Sequence, residues 1–83
     1  MFDEIEVFIK VAELGSFSAA ASSLNLPQST VSRRIQRLED RLEVLLFNRT
    51  TRQVKLTTAG KEYYSQCVQI IKGLLETNRS VKL

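Results

Sequence analysis

Histidine is absent from this chain of 83 residues and cysteine occurs once, as Cys67. Those two shortages rule out a His-paired nucleophile, a Cys/His zinc site and an intramolecular disulfide, together with the enzymes built on such groups. The remaining residues offer neither a Gly-rich phosphate loop nor a paired-carboxylate pocket, so no catalytic residue, metal ligand or cofactor is expected. Proline is as scarce, with Pro27 alone, and three glycines are too few for a flexible linker. There is no repeat and no low-complexity tract. A basic leader and a long apolar run are also missing, so neither a signal peptide nor a transmembrane helix is expected. With a lone thiol suited to a reducing compartment, the expectation is a soluble cytoplasmic module with no membrane partner.

What is present is short and mildly basic. A chain of this length buries only about 60% of the surface its unfolded form exposes, which leaves one small core and no room for a second domain. The formal charge is +3 with pI near 9.4, a weak pointer to a polyanionic partner. Its distribution says more. Residues 1–27 hold one base against four acids, residues 28–55 seven against three, and residues 56–83 four against two.

Ile5, Phe8, Ile9 and Ala12 recur at helical spacing, with Asp3 as the expected N-cap, Glu6 completing a capping box and Gly15 as the stop. Residues 17–24 read as a short helix capped by Ser18, whose small side chains allow close helix approach. Asn25-Leu26-Pro27-Gln28 interrupts it, and a third helix opens at Pro27 or Gln28 and runs to about Leu42. Leu46–Arg49 and Val54–Leu56 suggest two short strands around a polar loop, Thr50-Thr51-Arg52-Gln53, that lacks the Gly of a tight primed turn. Thr57 or Thr58 caps a last helix from about Thr58 towards the chain end. The order, helix-turn-helix and then a small hairpin, is that of a winged helix-turn-helix: a mainly α fold of three helices and a β-hairpin wing, followed by a long linker helix.

Wound at 3.6 residues per turn, the third helix gathers Val31, Ile35, Leu38 and Leu42 into a core stripe about 60° wide. Ser29, Arg33 and Arg37 fall on the opposite side, Ser32 is lateral and Arg34 lies near the boundary. Such a face suits a DNA major groove, where Arg bonds guanine bidentately, Gln28 can bond adenine and hydroxyls adapt to several base edges. Amides at the helix start add a phosphate contact. A plainer reading is a solvated face of spaced ion pairs, with Arg33, Arg37 and Arg41 alternating with Glu39, Asp40 and Glu43. Against it stands the polarity: bases early and acids late oppose the helix dipole.

Arg49, Arg52 and Lys55 cluster in the hairpin around Thr50 and Thr51, with no acid nearby. A wing of this kind holds phosphates and can insert an Arg into a narrow minor groove; a solvated basic loop is the alternative. In the last helix Tyr64, Cys67, Val68, Ile71 and Leu75 form one apolar stripe and Tyr63, Ile70, Leu74 and Val81 another. The arc spans about 160°, more than a small domain covers, so a partner copy is expected on Tyr63, Cys67, Ile70, Ile71, Leu74 and Leu75. A wide core stripe would also account for it. Cys67 itself reads as a small buried hydrophobe. Gly73 weakens the case for an unbroken helix.

In order along the chain, Phe8 with Val11, Gly15-Ser16-Phe17-Ser18-Ala19-Ala20-Ala21, Leu24, Gln28, Val31-Ser32-Arg33 with Ile35, Leu38-Glu39, Leu42, Leu46-Phe47-Asn48-Arg49 and Leu56-Thr57-Thr58-Ala59-Gly60 carry a specific pattern. It resembles the N-terminal DNA-binding domain of the LysR-type bacterial transcriptional regulators over essentially the whole chain. The resemblance implies a winged helix-turn-helix in residues 1–58, its helix-turn-helix at about 18–37. Residues 58–83 would be a linker helix pairing antiparallel with its mate in a homodimer. By position Gln28, Ser29, Ser32 and Arg33 match groove-reading residues and Arg52 a minor-groove Arg. Thr30, Arg37, Arg49, Thr50 and Lys55 complete the expected contact set on double-stranded DNA. The family's small-molecule effector binds a C-terminal domain absent from this sequence, and the open-ended last helix suggests a fragment. Two positions depart from the pattern. Glu43 stands where the family usually has Gly, so the third helix is expected to continue or bend differently into Val44. Pro27 precedes Gln28, whereas a proline often follows that Gln.

A protein-interaction module on the same fold is the competing functional reading. Salt-dependent duplex binding separates the two.

Overall fold

Gly15 ends the first helix as its position predicts: it takes the left-handed conformation, φ +66°, and its amide donates to the Val11 carbonyl at 2.7 Å. In the computed structural model, which describes residues 2–49 and 53–81, the elements run α1 Phe2–Leu14, α2 Phe17–Leu24, α3 Gln28–Leu42, β1 Phe47–Arg49, β2 Val54–Leu56 and α4 Thr58–Val81. The two strands form an antiparallel hairpin, Phe47 opposite Leu56 and Arg49 opposite Val54. A mainly helical winged helix-turn-helix with a long final helix is therefore the observed fold.

Several local expectations need correction. Asp3 lies within the first turn of α1, where a carboxylate still favours the positive end of the helix dipole. The cap of α2 is Ser16, in extended geometry, its hydroxyl accepting the Ala19 amide at 3.1 Å. Ser18 is inside the helix and its hydroxyl sits 3.0 Å from that of Ser16. Moving the cap back by two residues puts Phe17 in the first turn, where its ring meets Phe47 edge-on at 5.9 Å. In α1 the buried stripe is Glu4, Val7, Phe8 and Val11, while Ile5, Ile9 and Ala12 flank it, partly buried.

Val31, Ile35 and Leu38 of the α3 stripe are fully buried beside Val7, Phe8, Val11, Ala20 and Leu46. Leu42 is not, being 37% exposed, because the chain leaves the helix directly after it. Phe8 is the hub. Its ring lies 5.4 Å from Phe47, 5.3 Å from Tyr63 and 6.4 Å from Tyr64, so one side chain joins α1, the hairpin and α4 in the offset geometries aromatic pairs favour.

α4 is anchored at its start. The Thr57 hydroxyl accepts the Gly60 amide at 2.9 Å and donates to the Leu45 carbonyl at 2.7 Å, and the Thr57 amide donates to Leu46 at 3.0 Å. A Cβ at Gly60 would collide with the Leu46 carbonyl oxygen; only glycine lets α4 approach so closely. From there the helix runs unbroken through Gly73 to Val81. No helix among the described residues is long and apolar enough to cross a membrane.

Candidate nucleic-acid interface

The turn that aims α3 is three residues long. Asn25 closes α2 in the left-handed region, φ 56°, its amide donating to the Ala21 and Ser22 carbonyls; Asn is one of the few residues that tolerate this. The Leu26 amide then reaches Ala21 at 3.0 Å, and Pro27, with φ −61° and extended ψ, caps α3 without a side-chain bond. The helix begins at Gln28, as the proline predicts.

Its outward face follows the helical wheel. Gln28, Ser29, Arg33 and Arg37 are exposed, while Thr30, Ser32 and Arg34 are half-buried. Pairing bears on the alternative of a face of spaced ion pairs. Arg41 bonds the buried Glu4 at 2.6 Å and Arg49 bonds Glu39 at 3.2 Å, but Arg33, Arg34, Arg37 and Lys55 form no ion pair among the described residues. The acid-free part of α3 thus presents guanidiniums that no acid among the described residues neutralises.

Glu39, which the plainer reading sets among the acids of a solvated face, is 6% exposed. One carboxylate oxygen accepts the Leu46 amide at 2.8 Å and the Phe47 amide at 3.3 Å; the other accepts Arg49 at 3.2 Å. Arg49 also lies over the Phe17 ring, 5.1 Å from its centre. The sequence carried the signal in Leu38-Glu39 and Leu46-Phe47-Asn48-Arg49, both part of the family pattern, yet the pairing of those two segments is tertiary. Lys55 is exposed on β2 opposite Asn48. Thr50 and Arg52 lie outside the described residues.

Glu43 resolves the first departure from the family pattern. Helix α3 neither continues nor bends: it stops at Leu42, and Glu43 itself adopts the left-handed C-cap conformation, φ 58°, with the Val44 amide donating back to Glu39 at 3.2 Å.

On α4 the apolar arc divides along its length. Tyr63 and Tyr64 are half-buried against the core and Cys67 is buried within its own chain, so Tyr63 and Cys67, expected in a dimer contact, already pack against their own domain. Burial pushes the Cys67 thiol and the Tyr63 phenol up from their ordinary values, in keeping with an inert cysteine. Further along, Ile70, Ile71, Leu74, Leu75 and Val81 are 69%, 40%, 58%, 55% and 74% exposed.

A three-helix core, a hairpin wing and an unneutralised basic helix face define a winged helix-turn-helix DNA-binding domain. The model of the bacterial regulatory helix-turn-helix proteins of the lysR family matches residues 2–61, and the chain belongs to that family. It is 51% identical over 75 residues to an HTH-type transcriptional regulator of Xanthomonas campestris, covering 90% of this chain and 22% of that protein. Against the transcriptional activator AaeR of Escherichia coli K12 it is 46% identical over 77 residues, covering 93% and 25%. It therefore spans about a quarter of the length of these curated relatives. Among solved structures, the BenM DNA-binding domain in complex with benA site 1 DNA superimposes with a TM-score of 0.92 at 30% identity, covering 99% of this chain and 92% of that one. The CbnR DNA-binding domain in its DNA complex gives 0.87 at 32% identity, covering 96% and 92%.

Proposed function

We infer that this domain reads duplex DNA sequence-specifically as half of a twofold dimer within a bacterial transcriptional regulator working in the cytoplasm. In this reading α3 lies in the major groove, where Gln28, Ser29, Ser32 and Arg33 meet base edges, and Thr30 and Arg37 stand beside them towards the backbone. Arg52 enters the minor groove, Thr50 and Lys55 hold phosphates, and Arg49 stands beside them in the wing. The winged unit of residues 1–58 passes into α4, whose distal side chains Ile70, Ile71, Leu74 and Leu75 meet the same surface of a second copy. Any effector acts through a further domain of the whole regulator.

The observation that carries this is the row of exposed guanidiniums, Arg33 and Arg37, with no ion pair among the described residues, on the acid-free part of a helix opening from a three-residue turn. Titrating interrupted palindromes with A·T-rich flanks against random duplexes at two salt concentrations tests it. The expected result is two chains per duplex, a clear sequence preference and an affinity falling steeply with salt. One chain per duplex defeats the dimer, and salt-insensitive or absent binding favours a protein-interaction role.

A further inference from the structure

Of Glu39, Asp40 and Glu43 at the C-terminal end of α3, only Glu39 is buried, and what it holds is the wing. Its carboxylate takes the Leu46 and Phe47 amides where β1 begins and the Arg49 guanidinium where β1 ends. A hairpin of two three-residue strands has too few ladder bonds to hold its own position. The base of the hairpin is fixed through Phe47 in the core and Thr57 on Leu45 and Leu46. Towards the tip, the Arg49 guanidinium, on Glu39 and over Phe17, ties the hairpin to both helices of the helix-turn-helix.

We propose that Glu39 is a positioning residue for DNA binding: through Arg49 it fixes the wing against α3, so that the wing's contacts are gained or lost together. This rests on the reading that α3 and the hairpin both meet the duplex. It also reassigns Arg49. A guanidinium whose charge is matched by a carboxylate at 3.2 Å adds little net charge towards phosphate, and its value lies in planar geometry. Arginine bonds the carboxylate with one edge and stacks on a ring with its face, which lysine cannot do.

The test is binding of the chain to a random-sequence duplex across a salt series, with thermal melting of each variant. Glu39→Gln and Arg49→Lys should each bind about tenfold more weakly at low salt, with a salt slope reduced by about two phosphate contacts, against about one for Lys55→Ala. The double variant should be no worse than either single one, since both break the same link. Arg49→Lys keeps the positive charge, so an Arg49 that simply neutralises phosphate predicts near-normal binding for it. Binding of a folded Arg49→Lys within about twofold of the parent overturns the proposal. If Glu39→Gln melts below the assay temperature, Arg49→Lys decides alone, because it leaves the carboxylate and its two amide bonds intact. If the parent chain shows no salt-dependent binding, the functional reading itself fails and takes this inference with it.

Discussion

Leu38 divides α3 into an upper part whose charges are all basic, Arg33, Arg34 and Arg37, and a lower part that mixes Glu39, Asp40 and Arg41. In the lower half Arg41 is matched by Glu4 and Glu39 by Arg49 and two backbone amides, so the charges there fasten α1 and β1 to the helix. In the upper half Arg33, Arg34 and Arg37 have no partner among the described residues, and nothing in the fold requires them to be charged. One helix therefore separates paired charges from exposed ones with no partner among the described residues within about four turns. Substitutions in the lower half should cost stability as well as binding, those in the upper half binding alone.

The largest effect is expected in the lower half. Glu39→Ala leaves the Leu46 and Phe47 amides without their acceptor and Arg49 without its carboxylate, in a site that is 6% exposed. Removing one partner of a buried charged network costs about 3–5 kcal/mol, a large share of the stability of a small domain. Chemical denaturation should show a midpoint far below that of the parent. An unchanged midpoint would show that water replaces the carboxylate at no penalty.

The same contrast explains what the sequence disclosed. The exposed face of α3 was legible because it depends on local periodicity and on where Pro27 starts the helix, and both hold in the structure. So were the hairpin strands, which flank a polar loop, and the start of α4, which follows from a Thr cap. Glu39 was not legible: it sits about 70° from the centre of the core stripe, a boundary position equally suited to solvent, and only the return of β1 makes it buried. The cap of α2 was misplaced because Ser16 and Ser18 are both good cap residues, and the contact of Phe17 with Phe47 decides between them. The apolar arc of α4 joined two environments, one packed on the core and one exposed, for a similar reason. Tyr63, Tyr64 and Cys67 differ from Ile70, Leu74 and Leu75 only in how far they lie from Phe8 and the rest of the core. Distance along a helix from its anchor is not a periodic signal.

In the upper half the effect should be smaller in stability and confined to binding. Arg33→Ala removes an exposed side chain with no ion pair, so its unfolding free energy should stay within about 0.5 kcal/mol of the parent. Its affinity for a preferred site should fall by about 1–3 kcal/mol, with base preference relaxed at one position. Titration of the preferred and random duplexes side by side separates the possibilities. Equal losses on both would make Arg33 a phosphate contact and move base reading to its neighbours on the face.

The smallest effect tests where the lower half stops. Glu43 holds φ 58° at the C-cap of α3, a conformation that strains a residue with a Cβ by about 1–2 kcal/mol and suits glycine. It also places a carboxylate at the negative end of the helix dipole, unfavourable by about 0.3–1 kcal/mol. Glu43→Gly relieves both, while the added freedom of the unfolded glycine offsets about 0.5–1 kcal/mol of the gain. The net expectation is a stabilisation of about 1 kcal/mol, a rise in Tm of about 4–8 °C for a domain of this size. DNA affinity should be almost unaffected, since the substitution leaves Arg33, Arg37 and the Glu39 network in place. A lowered Tm would mean that the Glu43 side chain contributes more through its surroundings than its backbone conformation costs, and that the lower half of α3 extends one residue beyond its last helical hydrogen bond.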